Sequence, residues 1–477
     1  MSNKKIKKLL VANRGEVATR IIRACKELGI KTVAIYSEAD AKGIWVKKAD
    51  ESYLIPGDPI KAYLNFYKIV DLARQTRCDA IHPGYGFLSE NADFAEYCEK
   101  MGLIFVGPKP EHIALFGDKM ASKRAMKEVG VPVLPGSDGA ITDINEAKKI
   151  AEEIGFPVIL KAAFGGGGRG MRIVKNPDEF ESAFESAYQE AVKFFGKGDI
   201  FIEKYVENPR HIEIQVMADK YGNVIHLGER DCSIQRRHQK IVEIAPSPTL
   251  NDDVRKELYR VAVKSMFKLG YESVGTLEFV VDENDNFYFI EMNTRLQVEH
   301  TITEMVTGVD LVQRMIKIAE GEKLPFLQED ISFRGYAIEF RINAEDPAKN
   351  FAPSPGKISS YYSPGGPGVR IDAAVYKDYV IPPYYDSMVA KLVVWALTWN
   401  QTVDRARRSL DEFIVRGVPT NIPLHRQIVR DEDFRNGKFN TGYLDQKLKE
   451  FKLKPEEINP NDLAVAISAA IAAYHKL

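Results

Sequence analysis

The sequence has few of the residues that would place it in an oxidising compartment, on a membrane or on nucleic acid. Only four of its 477 residues are cysteine, and none of them forms a CxxC pair, so we expect reduced thiols in a cytoplasmic protein. The 66 Lys and Arg residues nearly cancel the 67 Asp and Glu residues, which leaves no excess positive charge for nucleic acid or an anionic membrane. The longest apolar run, at 463–474, is shorter than the roughly 18 residues that indicate a membrane span.

Motifs that would identify several common enzyme classes are also missing. The absence of GxxxxGK[ST] excludes a Walker-type phosphate loop, and the absence of GxSxG and HExxH argues against an α/β-hydrolase or a zinc protease. The VANRGE turn lacks the glycine spacing of a dinucleotide site, so a dinucleotide oxidoreductase is the weakest alternative. The eight histidines show no metal-ligand spacing, and His82 is interpreted as a residue that shapes its loop.

Hydrophobic periodicity predicts an α/β protein of several domains. Strand patterns at 7–13 and 31–37 flank a helical stripe at 16–28, and this alternation is typical of a doubly wound parallel sheet. Strands around a glycine run follow, then a β-rich block with many Gly and Pro turns, and finally an alanine-rich helix. The predicted division is 1–117, 118–332, 333–448 and 449–477.

A predicted hairpin in the second part of the chain, GTLEFVVDENDNFYFIEMN, carries a pattern of oxygen ligands. If its two-residue turn is Asn284-Asp285, Glu278 lies directly opposite Glu291, where like charges are destabilising unless something lies between them. Asn293 projects from the same face. Two carboxylates and an amide oxygen are suited to Mg²⁺ or Mn²⁺. The alternative is an acidic, solvent-exposed face of a surface hairpin.

The glycine run 165–168 lies between two predicted strands, with Lys161 before it and Arg169 after it. A glycine hairpin bends freely and can bring backbone N–H groups over phosphates, with Lys161 adding positive charge. This pattern predicts a lid over a nucleotide. The alternative is a flexible surface turn.

A concentration of basic residues predicts a pocket for a small anion. The first cluster, RDCSIQRRHQK, contains Arg230, Arg236, Arg237, His238 and Lys240. The second segment, TRLQVEH, supplies Arg295, Gln297 and Glu299. Cations near a carboxylate suit a site where an oxyanion binds and Glu299 accepts a proton. The alternative for the first cluster is a solvated basic strand.

Nine segments, taken together and in order, resemble the biotin carboxylase family of ATP-grasp ligases over residues 5–448. They are VANRGEVATRIIRACKELG, HPGYGFLSEN, GDKMASK, KAAFGGGGRGMR, EKYVENPRHIEIQV, GERDCSIQRRHQK, FIEMNTRLQVEH, RINAEDP and PPYYDSM. The resemblance implies a Rossmann-like N-terminal domain, an ATP-grasp fold with a mobile lid at about 133–205, and a β-rich C-terminal domain.

The resemblance also implies a role for each matching position. The ATP-contacting set is Lys119, Lys161, Gly167, Gly168, Glu203, Lys204, Val206, His211, His238, Glu278 and Glu291, with the adenine at Lys204 and Val206. The ligands of two Mg²⁺ or Mn²⁺ ions are Glu278, Glu291 and Asn293. The bicarbonate pocket is Lys240, Arg295, Gln297, Val298 and Arg341. The catalytic residues are Lys240, Arg295, Glu299 as general base and Arg341, which stabilises the enolate of biotin, while Tyr85 also contacts biotin.

The implied reaction is the ATP- and bicarbonate-dependent carboxylation of biotin through carboxyphosphate. Since the sequence has no Met-Lys-Met context for a biotinylated lysine, we expect the biotin on a separate carrier and carboxyltransferase subunit, and a homodimer of this chain. The final acceptor stays open between pyruvate, 2-oxoglutarate and acetyl-CoA, with a 2-oxo acid favoured. The alternatives are another ATP-grasp ligase and a nucleotide-binding regulatory subunit without chemistry.

Three features depart from the family pattern. The family usually has VEHPVTE where this chain has VEHTITE, with Thr301 and Ile302, and we expect this change to affect loop stiffness more than chemistry. Pro367 replaces an aromatic residue that is often found at the homodimer contact. The tail at 449–477 extends past the usual end of such a subunit, and it either docks a partner or packs on its own domain.

Overall fold

The computed structural model describes residues 5–162, 171–195 and 199–453, together with Ala464, Val465, Ser468 and Tyr474. Gly167 and Gly168, which were predicted to cover the phosphates, lie outside the described residues, as does most of the predicted tail. Within the described ranges, no helix combines the length and the apolar composition that crossing a membrane requires.

The first part of the chain folds around a parallel sheet, as predicted. Its strands are Lys8–Val11 (β1), Lys31–Tyr36 (β2), Glu51–Leu54 (β3), Ala80–His82 (β4) and Ile104–Phe105 (β5), in the order β3-β2-β1-β4-β5. Its helices are Gly15–Glu27 (α1), Ile44–Lys48 (α2), Pro59–Leu64 (α3), Phe66–Gln75 (α4), Ala92–Lys100 (α5), Pro110–Gly117 (α6) and Lys119–Glu128 (α7). The strand order reverses between β1 and β4, so the turns after these two strands lie side by side.

His82 ends β4 and is completely buried. Its Nδ1 accepts a hydrogen bond from the backbone N–H of Gly84 at 3.0 Å, so the ring shapes the turn that follows the strand, as expected. Burial, with a smaller effect from the charge of Arg20, lowers the pKa of His82 to about 3. The ring is therefore neutral in the folded protein at any pH near neutrality.

We expect acid to destabilise the protein in part through this histidine. Between its ordinary pKa of 6.5 and about 3, the unfolded state binds a proton that the folded state does not. The free energy of unfolding therefore falls as the pH falls through that window, by on the order of 1 kcal/mol per pH unit. Urea unfolding at pH 7 and pH 5.5 measures the loss. His82→Gln has no such proton to bind and should lose less over the same interval, whereas equal losses would contradict the prediction.

A separate three-stranded sheet carries the predicted lid. Its strands are Val158–Ala162 (β6), Met171–Val174 (β7) and Ile200–Lys204 (β8), in the order β7-β6-β8, and Ile144–Ile154 (α8) and Phe180–Phe195 (α9) accompany them. Leu160, Phe180 and Ile202 belong to an apolar core that this part of the chain forms by itself. A core of its own is what the predicted movement of the lid as a unit requires.

An eight-stranded antiparallel sheet forms the main scaffold. Its strands are Arg210–Ala218 (β9), Val224–Arg236 (β10), Gln239–Ala245 (β11), Ser273–Val281 (β12), Phe287–Asn293 (β13), Tyr336–Asn343 (β14), Val369–Ala373 (β19) and Met388–Ala396 (β21), in the order β13-β12-β9-β10-β11-β14-β21-β19. The helices Asp252–Lys268 (α10), His300–Thr307 (α11) and Leu311–Ala319 (α12) connect them. Because β11 pairs with β14, one sheet continues across the predicted boundary at 332/333.

The hairpin of β12 and β13 has the predicted pairing of Glu278 with Glu291, but the predicted turn was wrong. The connection is the three-residue loop Glu283–Asp285 instead of a two-residue turn. The longer loop shifts the register by one residue at the Phe279–Phe289 pair, and a bulge between Glu278 and Phe279 restores it. The two deviations cancel at the position of the carboxylates.

Short elements complete the C-terminal part. The strands are Glu345–Asp346 (β15), Ala352–Pro353 (β16), Gly356–Lys357 (β17), Ser360–Tyr362 (β18), Val380–Ile381 (β20) and Ile414–Arg416 (β22). The helices are Trp399–Glu412 (α13), Ile422–Ile428 (α14), Glu432–Arg435 (α15) and Tyr443–Lys447 (α16). Phe340, Leu392, Leu410 and Phe434 lie in the core that these elements share with the sheet, which fixes β14 and β21 beneath the site.

Candidate active site

A cavity of about 710 Å³ opens between the end of the lid and the large sheet. Its walls come from β11, β12, β13, β14 and the segment that precedes α11. Twelve of the predicted site residues line it. They are Val206, His211, His238, Lys240, Glu278, Glu291, Asn293, Arg295, Gln297, Val298, Glu299 and Arg341. The fold therefore gathers side chains from widely separated segments into one place.

Four predicted nucleotide contacts lie outside this lining. Lys161 and Glu203 form an ion pair on the lid sheet, and Lys123 binds the same carboxylate. Lys204 donates its ammonium hydrogens to two backbone carbonyls of the lid, at 2.9 and 3.0 Å. Lys119 begins α7. Lys161 and Lys204 are therefore bound by other groups of the protein in this structure.

Glu278 and Glu291 face each other across β12 and β13 and both line the cavity. Glu278 accepts hydrogen bonds from the amides of Asn293 and Gln297, each at 2.8 Å. The Nε2 atom of His211 lies 2.7 Å from its other oxygen. Burial lowers the pKa of His211, but Glu278 and Glu213 together outweigh burial and raise the pKa to about 9. A protonated histidine thus faces the cavity beside this carboxylate.

The side chains at this hairpin fit a hard divalent cation. Burial, and then the charge of Glu278, raises the pKa of Glu291, so its carboxylate is poorly solvated and lies near a like charge, both of which a bound cation would offset. Two carboxylates and the amide oxygen of Asn293 are the oxygen donors that Mg²⁺ and Mn²⁺ prefer. That amide oxygen accepts a hydrogen bond from Arg295 at 2.6 Å in this structure, and the bond must break for Asn293 to bind a metal.

Lys240 joins three buried carboxylates at the floor of the cavity. Its Nζ lies 2.9 Å from Glu278 and 2.9 Å from Glu299, and it also binds Glu213. Arg341 binds the other oxygen of Glu299 at 3.1 Å. Burial raises the pKa of Glu299, but the charges of Lys240 and Arg341 outweigh it and lower the pKa to about 2. Glu299 is therefore ionised, and it lies between two cations that an oxyanion could also contact.

Two arginines of the cavity are oriented by acids from other parts of the fold. The Nε atom of Arg341 lies 2.5 Å from Glu243 on β11. The Nε atom of Arg295 lies 2.8 Å from Glu90, which belongs to the N-terminal part of the chain. Arg295 therefore ties the cavity to the parallel sheet domain, and each guanidinium keeps some N–H groups directed at the cavity.

The residues of the predicted basic cluster lie in different environments in the structure. Arg230 is fully buried, and its guanidinium is bound by other side chains of the protein. Its N–H groups donate to Glu213, Gln215, Thr276, Gln297 and Thr303. Arg236 pairs with a carboxylate outside the cavity. Only Arg237, His238 and Lys240 of the cluster reach the cavity, because the cluster spans the end of β10, its turn and the start of β11.

Sequence reasoning missed two acids that bind the predicted catalytic cations Lys240 and Arg341. Glu213 binds Lys240, and Glu243 binds Arg341; both carboxylates are completely buried. Burial raises the pKa of Glu213, but Lys240 and Arg230 outweigh it and lower the pKa to about 2. A signal was present, because each acid interrupts an apolar strand, HIEIQVMA or KIVEIA, where a buried charge needs a partner.

Tyr85 lines a second cavity, of about 270 Å³, instead of the one that contains Arg341. Its hydroxyl donates to the carboxylate of Glu16 at the start of α1. The structure therefore does not bring the two predicted biotin contacts into one pocket.

Thr301 does more than change the stiffness of its loop. Its hydroxyl donates a hydrogen bond to Glu339, a completely buried carboxylate on β14. Burial raises the pKa of Glu339 to about 7. The proline of the usual family pattern has no donor to offer this carboxylate, so the substitution reaches the charged groups beneath the site.

Comparison with known families identifies the class of protein. Residues 5–113 match the family described as "Biotin carboxylase, N-terminal domain", and residues 118–327 match "Carbamoyl-phosphate synthase L chain, ATP binding domain". Residues 339–446 match "Biotin carboxylase C-terminal domain". Together with the cavity, these matches define an ATP-dependent carboxylase ligase with an ATP-grasp fold.

Individual proteins are similar over nearly the whole chain. The "2-oxoglutarate carboxylase small subunit" of Hydrogenobacter thermophilus is 57% identical over 99% of this chain and 100% of its own length. A pyruvate carboxylase subunit of Methanothermobacter thermautotrophicus is 51% identical over 98% of each chain. A crystal structure of the biotin carboxylase domain dimer of the Hydrogenobacter thermophilus enzyme, with MgADP, ADP and bicarbonate, is 58% identical, with a TM-score of 0.88 over 94% of this chain and 99% of that chain. This chain belongs to the biotin carboxylase family.

Proposed function

We propose that this chain carboxylates biotin on a separate carrier subunit, as the first half-reaction of a 2-oxo acid carboxylase. One observation carries the proposal: the ionised Glu299 lies between Lys240 and Arg341 in the cavity that also holds the Glu278–Glu291 pair. Acids for a cation and cations for an oxyanion therefore meet in a space of about 710 Å³, a typical size for a ligand site. A regulatory subunit that only binds nucleotide would have no use for the cations that bind an oxyanion.

In this proposal Glu299 acts as the general base. Bicarbonate enters beside Lys240 and Arg341, so that both cations divide their charge between the substrate and Glu299. This division raises the proton affinity of Glu299 from its low value, and the carboxylate removes the bicarbonate proton. The resulting anion attacks the γ-phosphorus of ATP, the bond to the β-phosphate oxygen breaks, and carboxyphosphate and ADP form.

The charge of the triphosphate is offset by groups on the hairpin of β12 and β13 and by His211 and Lys161. Glu278, Glu291 and Asn293 would hold the divalent cations, which supply positive charge to the transferring phosphoryl group. The protonated His211 lies on the same side of the cavity. Lys161 would add charge once it exchanges Glu203 for a phosphate oxygen, which gives closure of the lid a chemical consequence.

Biotin is carboxylated after carboxyphosphate breaks down to CO₂ and phosphate. The phosphate accepts the N1′ proton of biotin, and N1′ then attacks CO₂ while Arg341 holds the enolate oxygen. Arg341 suits this role because Glu243 fixes its Nε at 2.5 Å and leaves another N–H group at the cavity. Gln297 and the backbone at Val298 complete the wall around the oxyanion.

The relatives support a partner subunit and favour a class of acceptor. The two relatives that are named as carboxylase subunits match over 98% or more of this chain, which supports a separate biotinylated carboxyltransferase subunit. Their names favour 2-oxoglutarate or pyruvate as the acceptor, with acetyl-CoA as the alternative. The family matches also support the predicted domain division, and the dimer of the Hydrogenobacter thermophilus domain supports a homodimer. Four unpaired, buried thiols suit the cytoplasm.

Release of ADP with and without bicarbonate and free biotin tests the reaction. We expect ADP release that depends on bicarbonate and Mg²⁺ and that biotin stimulates. ADP release that is indifferent to bicarbonate would overturn the proposal and leave another ATP-grasp ligase as the better interpretation.

The acceptor is tested separately with the partner subunit that co-purifies with this chain. The reconstituted pair is supplied with labelled bicarbonate and, in parallel, pyruvate, 2-oxoglutarate or acetyl-CoA. Label in the product of a 2-oxo acid supports the proposed acceptor class. Label only in the product of acetyl-CoA would contradict it while leaving the first half-reaction intact.

A further inference from the structure

Lys391 is a lysine whose side chain is completely buried, and it lies beneath both cavities. It sits on β21, where its cross-strand neighbours are Arg341 on β14 and Asp372 on β19. Burial lowers the pKa of Lys391, but the charges of Glu16, Glu339 and Asp372 outweigh burial and raise it above its ordinary value. The protein therefore keeps a charged ammonium in its interior, which is costly unless geometry and partners compensate.

The partners of this ammonium connect two separate parts of the fold. Its Nζ donates a hydrogen bond to the backbone carbonyl of Val298 at 2.8 Å. It also lies 3.3 Å from the carboxylate of Glu16, whose side chain is only 4% exposed. That same carboxylate oxygen accepts the hydroxyl hydrogen of Tyr85, and the ammonium lies 5.9 Å from the centre of the Tyr85 ring. The Lys391 ammonium thus contacts Val298, which lines the first cavity, and Glu16, which orients Tyr85 in the second cavity.

The Val298 carbonyl matters because of the residue that follows it. Glu299 carries the carboxylate that lies between Lys240 and Arg341, and its position depends on the backbone of this irregular segment before α11. Among the described residues, the hydrogen bond from Lys391 is the one found at the Val298 oxygen. A hydrogen bond from a charged donor is stronger than one from a neutral donor, so it restrains the segment well.

We propose that Lys391 is a positioning residue. It holds the backbone at Val298, and with it the Glu299 carboxylate, at a fixed distance from Tyr85, because Lys391 also binds Glu16 and Glu16 binds the Tyr85 hydroxyl. This inference rests on the proposed function. It assigns to the buried Glu16–Lys391 pair the task of keeping the bicarbonate pocket and the predicted biotin contact at a fixed separation. The two predicted biotin contacts line different cavities, and this pair is the physical link between them.

Steady-state kinetics of Lys391→Met test the proposal. We expect kcat for bicarbonate-dependent ADP release to fall by about 10- to 100-fold, since a displacement of about 1 Å costs up to about 100-fold. Stimulation by biotin should fall toward none. The KM for ATP and the Kd for ADP should stay within about twofold, because Lys391 does not line the nucleotide cavity. A merely structural role would not produce this split between kcat and nucleotide binding.

A matched control and a second variant keep the test decisive. Lys8→Met removes a more exposed ion pair, with Glu51 at 2.6 Å, in the parallel sheet and away from both cavities. If Lys391→Met does not fold, the charge-balanced double variant Glu16→Gln with Lys391→Met replaces it, since neither member of that pair is then left as an unpaired buried charge. The same kinetic split is expected of the double variant.

Three results would overturn the inference. The first is a kcat and a biotin stimulation within about twofold of those of Lys8→Met. The second is a loss of activity that runs in step with a loss of ADP binding and thermal stability, which is the signature of a structural role. A wild-type chain without bicarbonate-dependent ADP release would overturn the proposed function itself, and this inference with it.

Discussion

Substitution of Glu299 by glutamine is expected to lower bicarbonate-dependent ADP release by about 10²- to 10⁴-fold, the usual contribution of a positioned general base. Glutamine keeps the shape of the side chain, and its one amide oxygen can still accept a hydrogen bond from either Lys240 or Arg341, but it cannot take the bicarbonate proton. The carboxylate in the wild-type chain is ionised, with a pKa of about 2, so it is ready to accept a proton throughout the working pH range.

Comparison with a second buried glutamate makes this prediction specific. Glu229 has a completely buried side chain, binds Arg255 at 2.9 Å and lines neither cavity. Glu229→Gln should therefore keep the bicarbonate-dependent rate, although it loses some stability. Binding of ADP, measured by calorimetry, should be equal in both variants. A Glu299→Gln variant with a wild-type rate would remove Glu299 from its proposed role and, with it, the central argument for the function.

The Rossmann-like part of the fold could be predicted because its signals are local. Apolar strands such as 7–13 and the helical stripe at 16–28 alternate along the chain, and a right-handed crossover then leaves one arrangement of neighbours. The union of the second and third parts into one sheet could not be predicted in this way. It depends on β11 pairing with β14, and no local pattern in either strand specifies a partner about ninety residues away.

The pairing of Glu278 with Glu291 could be predicted even though its premise was wrong. The carboxylate of Asp282 accepts the backbone N–H groups of Asn284 and Asn286, which stabilises a three-residue loop that an Asn-Asp turn signal does not reveal. The bulge at Glu278 then restores the register. Since bulges are common where a side chain must be aimed at a site, the correction falls at the carboxylates rather than elsewhere in the hairpin.

The charged residues around the site could be predicted only in part. Lys240 and Glu299 lie in recognisable motifs, but what fixes their protonation is a set of buried partners on other strands. Glu213 on β9 binds Lys240, and Arg341 on β14 binds Glu299; these side chains reach the site only through tertiary pairing. A motif indicates which residue types occur together. It does not reveal that the guanidinium of Arg230 is bound entirely by protein side chains or that Thr301 donates to a buried carboxylate. Electrostatics of this kind depend on distances of a few ångströms.

Lys240→Met is expected to destabilise the protein by about 3 kcal/mol, near the lower end of the range for breaking a buried ion pair because one side of Lys240 faces the cavity. The ammonium holds three carboxylates whose side chains are 0%, 6% and 2% exposed. Without it, Glu213, Glu278 and Glu299 repel one another in a poorly solvated space. Urea unfolding measures the loss, and bicarbonate-dependent ADP release should disappear in the same variant.

The pH dependence of this loss identifies its cause. In the wild-type chain the pKa values of Glu213 and Glu299 are about 2, below the ordinary 4.5, so their ionisation contributes stability at neutral pH that is lost as the pH falls toward 2. In Lys240→Met burial dominates and raises these pKa values, so the folded state binds more protons than the unfolded state and the deficit grows as the pH rises above about 4.5. We expect a larger difference between variant and wild type at pH 7.5 than at pH 5.

Lys447→Met is the matched control for this substitution. Lys447 also binds three carboxylates, and its side chain is 16% exposed against 14% for Lys240. Two of its three acids, however, are 46% and 69% exposed, so water can take over the solvation that the ammonium supplied. Its loss of stability should be much smaller and nearly independent of pH. Equal losses in the two variants, or a deficit in Lys240→Met that shrinks as the pH rises, would show that the three acids at the floor of the cavity do not depend on Lys240 for their charge.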